Sequence, residues 1–446
     1  MHTALQISRR DGNTPRCHRL PMPLSLPTEV LTAIICQCTS SANIVQVSRR
    51  FAAIAYSISY LWSFVCLRPR QLTHDGLHHL ANRLARVSNT PLDIIIGPIT
   101  LDHETIVTQL CAVITNIINS RSIAVRQLAI DTELSSLAEL VFRSIPINPI
   151  SCLRSLSISI HPPTILDDDE PELLNNCLVD ALESNELLLL AELSLTGCLP
   201  LEVQEDNMPI LISLCTLFFD ETTIEVPHHP GLEALILASS PNLQIVSIRQ
   251  AALYDTEPFN DLGLPNICLR QLAKLELTIG LACQLLPVLE AAGLQELTLD
   301  GAFSDNDEDF NNIIDVLQEV SFHSLSHLTL TSHKLDEQAW EWLFFQGPPF
   351  PNLEHISLIG IDKPCGFNSA LLHRHAQEPV LPLRHLTLLQ SHLKLDGNAL
   401  IHAFTAAAQG QATCIVEYDD CLGLESETEV ELKNLGVHLQ LEGNAS

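Results

Sequence analysis

At 446 residues the chain is long enough for two or three domains or for one repeat array, and its 46% hydrophobic content excludes global disorder. Charge is divided unevenly: Met1 to Arg86 carries ten Lys or Arg against three Asp or Glu, and the remainder holds 13 of the 23 basic and 50 of the 53 acidic residues. So acidic a body repels phosphate backbones, which argues against nucleic acid as a partner and for a basic or polar protein surface.

Met1 to Pro23 holds prolines and arginines without an apolar period and reads as a flexible arm. Over residues 24–67 the pattern becomes that of three short amphipathic helices. Leu26-Pro27 opens the unit, and Val30, Leu31, Ile34, Ile35 and Cys38 recur at a three-to-four spacing that gathers them on one helical face. Ser40, Ser41 and Asn43 supply capping oxygens before Ile44, Val45, Val47 and Phe51. Ile54, Ala55 and Ile58 continue that face, and Leu61, Trp62 and Val65 close it. About forty residues bury too little apolar surface to stand alone, so the unit is expected to lean on its neighbour.

The order Leu26-Pro27, Glu29-Val30-Leu31, Ile34, Cys38, Val47, Arg49-Arg50-Phe51, Ile54-Ala55 and Leu61-Trp62 with Val65 closely resembles the F-box of the fungal F-box proteins. It departs from the family in a short linker, Thr39 to Asn43, and in Ile58-Ser59-Tyr60, where a turn with proline is common. The resemblance implies docking on the Skp adaptor of a cullin and RING ubiquitin ligase. It implies adaptor contacts from Leu26, Pro27, Val30, Leu31, Ile34 and Ile35, and further on from Val47, Phe51, Leu61 and Trp62. Of these, Leu26, Pro27, Leu31, Ile35 and Trp62 are expected to be exposed until the adaptor covers them. The residues alone also allow a plain three-helix cap on the domain that follows.

Residues 68–124 read as a connecting segment. Leu, Ile and Val recur at helical spacing over Thr73 to Val87 and Asp102 to Ile118, and LDIIIG between them is a strand ended by Gly97-Pro98. Residues 125–446 carry a repeat of apolar, two others, apolar, one other, apolar. It occurs at Val125-Leu128-Ile130, Leu153-Leu156-Ile158, Leu190-Leu193-Leu195, Leu214-Leu217-Phe219, Leu232-Leu235-Leu237 and Leu243-Val246-Ile248. It recurs at Leu272-Leu275-Leu277, Leu294-Leu297-Leu299, Leu325-Leu328-Leu330, Leu353-Ile356-Leu358 and Leu383-Leu386-Leu388, the last four starts lying 31, 28 and 30 residues apart.

Helical stretches stand between these matches, at Asp309 to Val320, Asp336 to Phe345 and Asn398 to Gln409. The pattern resembles leucine-rich repeats. One repeat alone leaves an apolar strand face and an apolar helix face without a partner, and stacking buries both. The expected fold class is therefore α/β, an irregular leucine-rich-repeat solenoid with parallel strands inside and helices outside. A doubly wound sheet also alternates strand and helix, but the glycine-rich phosphate turns it would need are absent. Pro162 to Glu172 and Leu201 to Asp206 read as solvated acidic loops, and VHLQL near the end reads as a last strand or cap.

Fourteen cysteines stand among leucines without a secretory signal and read as reduced thiols of the cytosol or nucleus. No run approaches the roughly 18 apolar residues of a membrane helix, so no membrane partner is expected. Asp305 to Asp309 alternates oxygens like a calcium loop, but Phe310 and Val316 stand where an EF-hand needs glycine and a bidentate glutamate. No Gly-x-Ser-x-Gly elbow, P-loop, His-Glu-x-x-His or paired Cys-x-x-Cys is present, so neither an enzyme nor a cofactor is expected. His228-His229 and His373 with His375 read as loop residues.

One constellation stands out. In the last three regularly spaced strands the residue before the central apolar position is His327, His355 and His385, and the residue after it is Thr329, Ser357 and Thr387. Alternation sends both sets to the face opposite the leucines. Strands in register about 4.8 Å apart would then stack a histidine ladder beside a hydroxyl ladder on the concave wall. Three readings are open: a generic polar surface, a patch that binds a protein substrate, or a zinc site, for which no Cys or carboxylate is positioned to complete three or four ligands. Together the two resemblances imply a substrate receptor, whose F-box docks the adaptor and through it the cullin while the array holds a protein substrate nearby. An interaction scaffold that keeps an F-box-like cap without assembling a ligase is the alternative.

Overall fold

A strand turns successive side chains to opposite faces, so the last two apolar positions of each repeat share one face and the residues around them share the other. The structure, a computed structural model, describes residues 28, 31, 49–88, 90–145, 152–161, 187–197, 211–221, 237, 240–250, 267–301, 307–320, 322–331, 350–360, 384–389, 415–418, 426–434 and 437–441. Helices α1 (Arg49–Ser57) and α2 (Tyr60–Ser63) lead into β1 (Phe64–Leu67), α3 (His74–Leu84), β2 (Leu92–Ile99), α4 (Glu104–Arg121), β3 (Val125–Thr132), α5 (Ser135–Ser144) and β4 (Ser155–Ile160). Then come β5 (Glu192–Thr196), β6 (Thr216–Glu221), β7 (Ile245–Gln250), β8 (Ile267–Cys268), β9 (Lys274–Thr278), α6 (Ile279–Leu285), β10 (Leu289–Glu290) and β11 (Glu296–Asp300). Helix α7 (Asp307–Glu319), β12 (His327–Thr331), β13 (His355–Ile359), β14 (His385–Leu389), β15 (Ile415–Tyr418), α8 (Ser426–Asn434) and β16 (His438–Leu441) complete the described elements.

All of these strands except β8 and β10 form one 14-stranded sheet, in which strand order rises with sequence from one edge to the other. Every neighbouring pair in it is parallel. A doubly wound sheet reverses its strand order at a switch point; this one never reverses. The molecule is α/β with a long parallel sheet, the arrangement of a solenoid-like repeat in which each unit meets its neighbours. Leu328, Ile356 and Leu386 lie opposite one another in register and are fully buried. The strand leucines and the apolar faces of α4 to α7 belong to one continuous core.

The first apolar position of each repeat closes the turn that precedes the strand. The Leu325 N–H donates to Phe322 O at 3.1 Å, that of Leu353 to Phe350 O at 3.2 Å, and that of Leu272 to Leu269 O at 3.2 Å. Both ends of these turns are buried, so each of these three repeats carries a further apolar anchor three residues ahead of its pattern. Side chains in the turns stitch one repeat to the last: Asn352 Nδ2 donates to His323 O at 2.7 Å, Asn242 Nδ2 to Ile212 O at 2.8 Å, and Ser324 Oγ to Ala292 O at 2.8 Å. Asn352→Ala is expected to cost about 1 kcal/mol in urea denaturation, the net worth of one hydrogen bond at a solvated edge. A loss above about 3 kcal/mol would show that the asparagine holds more than this one bond.

Four expectations are corrected. The array begins at Phe64 rather than Val125, because β1 and β2 are the first two strands of the same sheet and Trp62-Val65-Leu67 repeats the apolar spacing. Strand β2 does not stop at Gly97-Pro98; it passes through this cis peptide to Ile99, with a register shift against β3. Gly97 has φ 142°, and a Cβ there would lie 2.5 Å from Asp131 O, so the close approach of β2 and β3 needs glycine. The match at Leu232-Leu235-Leu237 adds no strand between β6 and β7, which pair directly, and Leu237, its one described residue, is helical.

The fourth correction concerns exposure in the helical unit. Leu31 is 0% and Trp62 4% exposed, and Leu61 is buried with them in the common core. Trp62 occupies the leading apolar position of the first repeat, and its Nε1 donates to Ala55 O at 2.9 Å. The small unit thus leans on the array through Leu31 and Trp62, two of the residues expected to face outward. Phe51 is partly buried against the same core. Leu26, Pro27, Val30, Ile34, Ile35 and Val47 lie outside the described residues, as do the arm Met1 to Pro23, the two acidic loops and the helical stretches Asp336 to Phe345 and Asn398 to Gln409. Helices near those expected over 73–87, 102–118 and 309–320 are present, and VHLQL supplies the closing strand β16. Among the described residues no helix is long and apolar enough to cross a membrane.

Candidate functional site: the open face of the sheet

With the leucines turned to the helices, the alternate residues of each strand form a face that no described element covers. The three histidines stand side by side on it: His327 pairs in register with His355, and His355 with His385. Their rings follow the strands, with centroids 4.9 Å apart for His327 and His355, tilted by 53°, and 4.0 Å apart for His355 and His385, parallel within 5°. The hydroxyls form the next row, Thr329 beside Ser357 beside Thr387. Thr298 extends this row onto β11, a position that sequence reading passed over although it follows Leu297 as Thr329 follows Leu328.

The two rows touch at their centre. His355 Nε2 lies 3.2 Å from Thr387 Oγ1 and 3.3 Å from Ser357 Oγ. In the neutral ring with its proton on Nδ1, Nε2 is an acceptor placed within reach of either hydroxyl. Ser326 Oγ lies 2.8 Å from His327 Nδ1. Burial, then the neighbouring His385 and His327, push His355 down from 6.5 to about 4, so it is a neutral ring at physiological pH. Thr387 departs from the expected solvated hydroxyl row: it is buried, with the His355 ring against its oxygen.

Charge collects on the strands just before the ladder. Glu296 pairs in register with His327, and its carboxylate meets Lys274 Nζ at 3.5 Å. Arg249 donates through Nε to Glu276 Oε1 at 2.7 Å, with a second contact from its terminal nitrogen. Burial alone would lower the Arg249 pKa, but the bond to Glu276 and the charges of Glu276, Asp300 and Asp220 outweigh it and raise the value. Thr331 Oγ1 donates to Asp300 Oδ1 at 2.8 Å. Neighbouring strands thus gather three carboxylates around one guanidinium. Sequence reading missed this cluster because its members come from β6, β7, β9 and β11, which only the register brings together.

The site offers hydrogen-bond donors and acceptors and a negative margin. It does not offer a metal cage: among the described residues no group of three His, Cys, Asp or Glu is arranged to hold an ion. Stacked imidazoles present ring faces to one another, which is not how three nitrogens converge on a tetrahedral centre. Cys111 is buried, and that burial pushes its thiol up to about 11, so it remains a packed thiol rather than a nucleophile. No protein-family model matches the chain, and no curated protein matches it.

Proposed function

We propose that the protein is a substrate-receptor subunit of a Skp, cullin and F-box type ubiquitin ligase. Its F-box-like unit docks the Skp adaptor, and the open face of its leucine-rich-repeat solenoid holds a protein substrate. The observation that carries this reading is the adjacency of the F-box-like order over residues 24–67 to a long parallel sheet whose polar face no described element covers. In such a protein no bond is made or broken; tethering raises the effective concentration of substrate at the ligase. Cytosol or nucleus is where that assembly would act.

The test uses Leu26 and Pro27, which lie outside the described residues. Leu26→Ala with Pro27→Ala is expected to weaken adaptor co-purification by about 2 kcal/mol or more, as loss of a central anchor does, while the array stays folded. Unchanged co-purification would sink the receptor reading. Trp62 is the wrong residue for this experiment, because its burial makes any substitution a test of folding.

A second reading is favoured by one specific observation. Leu31, Leu61 and Trp62 are buried in the core shared with the array, as a cap would bury them. In that case the chain is a protein-binding scaffold whose helical unit seals the first repeat. Adaptor and cullin would then be absent from the full chain purified from cells, whereas the open-face partner would remain.

A further inference from the structure

We propose that the open face over β9 to β14 receives an extended polypeptide segment bearing lysine or arginine. This deepens the reading that the face holds a protein partner and rests on it. The argument is charge complementarity. The described open-face positions of β11 to β14 are Glu296, Thr298, Asp300, His327, Thr329, Thr331, His355, Ser357, Ile359, His385, Thr387 and Leu389 in sequence order, and none is lysine or arginine. On β9 the face carries Lys274 and Glu276, and Lys274 is paired with Glu296. Next to it Arg249 sits among Asp220, Glu276 and Asp300, so the described open-face positions of β6 to β11 hold four carboxylates to two cations. The chain as a whole carries −30, which draws cations toward the face and repels acidic peptides and nucleic acid.

The neutral His355 decides the rest. A ladder of imidazolium rings would turn the middle of the face cationic, whereas His355, stacked on His385 and wedged against Ser357 and Thr387, does not charge at physiological pH. The face then has a carboxylate-rich margin at Glu296, Asp300 and Glu276 and a floor of imidazoles and hydroxyls with the neutral His355 at its centre. An extended segment crossing it sets its cations on the margin and its peptide groups on Thr329 and Ser357, which both donate and accept. The five strands β9, β11, β12, β13 and β14, about 4.8 Å apart, span roughly 19 Å, the reach of about six extended residues.

The experiment uses the full chain and fluorescence anisotropy at about 0.15 M salt. The probes are labelled peptides of about eight residues alternating Lys with Ser, Glu with Ser, or Gln with Ser, and a single-stranded oligonucleotide. The Lys peptide is expected to bind, and the others to bind weakly or not at all. Glu296→Lys should weaken the Lys peptide by about tenfold or more, since like charges are then juxtaposed. Thr329→Lys puts a cation in the middle of the path and should do the same, so the test survives if Glu296→Lys disturbs Lys274. Glu427→Lys, on the exposed start of α8, changes net charge equally and should alter binding by less than about twofold.

The proposal is overturned if the Lys peptide fails to bind or if another probe binds more tightly. It is also overturned if Glu427→Lys weakens binding as much as Glu296→Lys, which would mark unspecific attraction to an acidic chain. Adaptor capture by the same variants reads the ligase assignment separately. Peptide binding lost with adaptor capture intact removes the partner class alone, and the converse removes the ligase reading alone.

Discussion

Leu328→Ala is expected to destabilise the protein by roughly 2 to 5 kcal/mol, and Leu386→Ala by a similar amount. Leu328 is fully buried, and its register neighbours Leu297 and Ile356 are as deep. The strand spacing is fixed by backbone hydrogen bonds on both sides, so the walls of the new cavity cannot close on it, and the lost transfer free energy and the void add together. Thr329→Ala, one place along the same strand, should stay within about 0.5 kcal/mol, as partly exposed positions do. Thr387 does not serve as a second control, because its buried hydroxyl lies against His355. Urea denaturation gives the size of each effect. Hydrogen exchange gives its place, since in a stack of nearest-neighbour units β11 to β13 should lose protection first. Equal costs for Leu328→Ala and Thr329→Ala would show that the face assignment of these strands is inverted.

That assignment was legible in the sequence because the repeat states its own phase. Where apolar side chains recur at the spacing of Leu325-Leu328-Leu330, only one strand face can hold the last two, and the structure puts both in the core. The limits of the array were less legible, for a physical reason. At its start Trp62 takes the place of the leading leucine, and the aromatic reads equally well as the last anchor of a helical unit. Near its end Thr413 occupies that place, so β15 lacks the pattern and exists through pairing with β14 and β16. The spurious match at Leu232-Leu235-Leu237 has the right spacing but no slot, since β6 and β7 already pair with each other.

For the candidate site, residues at equal positions in consecutive repeats align from the sequence, which is why the histidine and hydroxyl rows are legible in it. Relations that run diagonally across strands could not. The group of Asp220, Arg249, Glu276 and Asp300 depends on the register of β6, β7, β9 and β11, and the irregular spacing of the earlier repeats hides that register. The burial of Thr387 likewise depends on where the His355 ring lies, a side-chain choice that spacing does not determine.

Acid should weaken this part of the array through His355. In the folded protein its ring is held near pKa 4, against the ordinary 6.5 that it regains on unfolding. Above pH 6.5 the ring is neutral in both states, and its contribution to stability is fully present. Between 6.5 and 4 the unfolded chain binds a proton that the folded one refuses, so stability falls as pH drops through this window and this group adds no further loss below it. A shift of this size corresponds to about 3 kcal/mol, reduced toward 2 by solvent screening at a half-buried ring. The groups that face it are His327 and His385 on the adjacent strands, the Ser357 and Thr387 hydroxyls, and, beyond His327, Glu296 and Asp300. His355→Asn removes the titration and should flatten stability against pH between 6.5 and 4 relative to the native chain, and the difference belongs to His355 because the other groups that titrate there are common to both proteins. Urea midpoints across that range supply the comparison, and the imidazole proton resonances of His355 supply its titration directly. A ring that titrates at its ordinary value, or a variant that keeps the slope of the native chain, would show that the stacked rings do not exclude the proton.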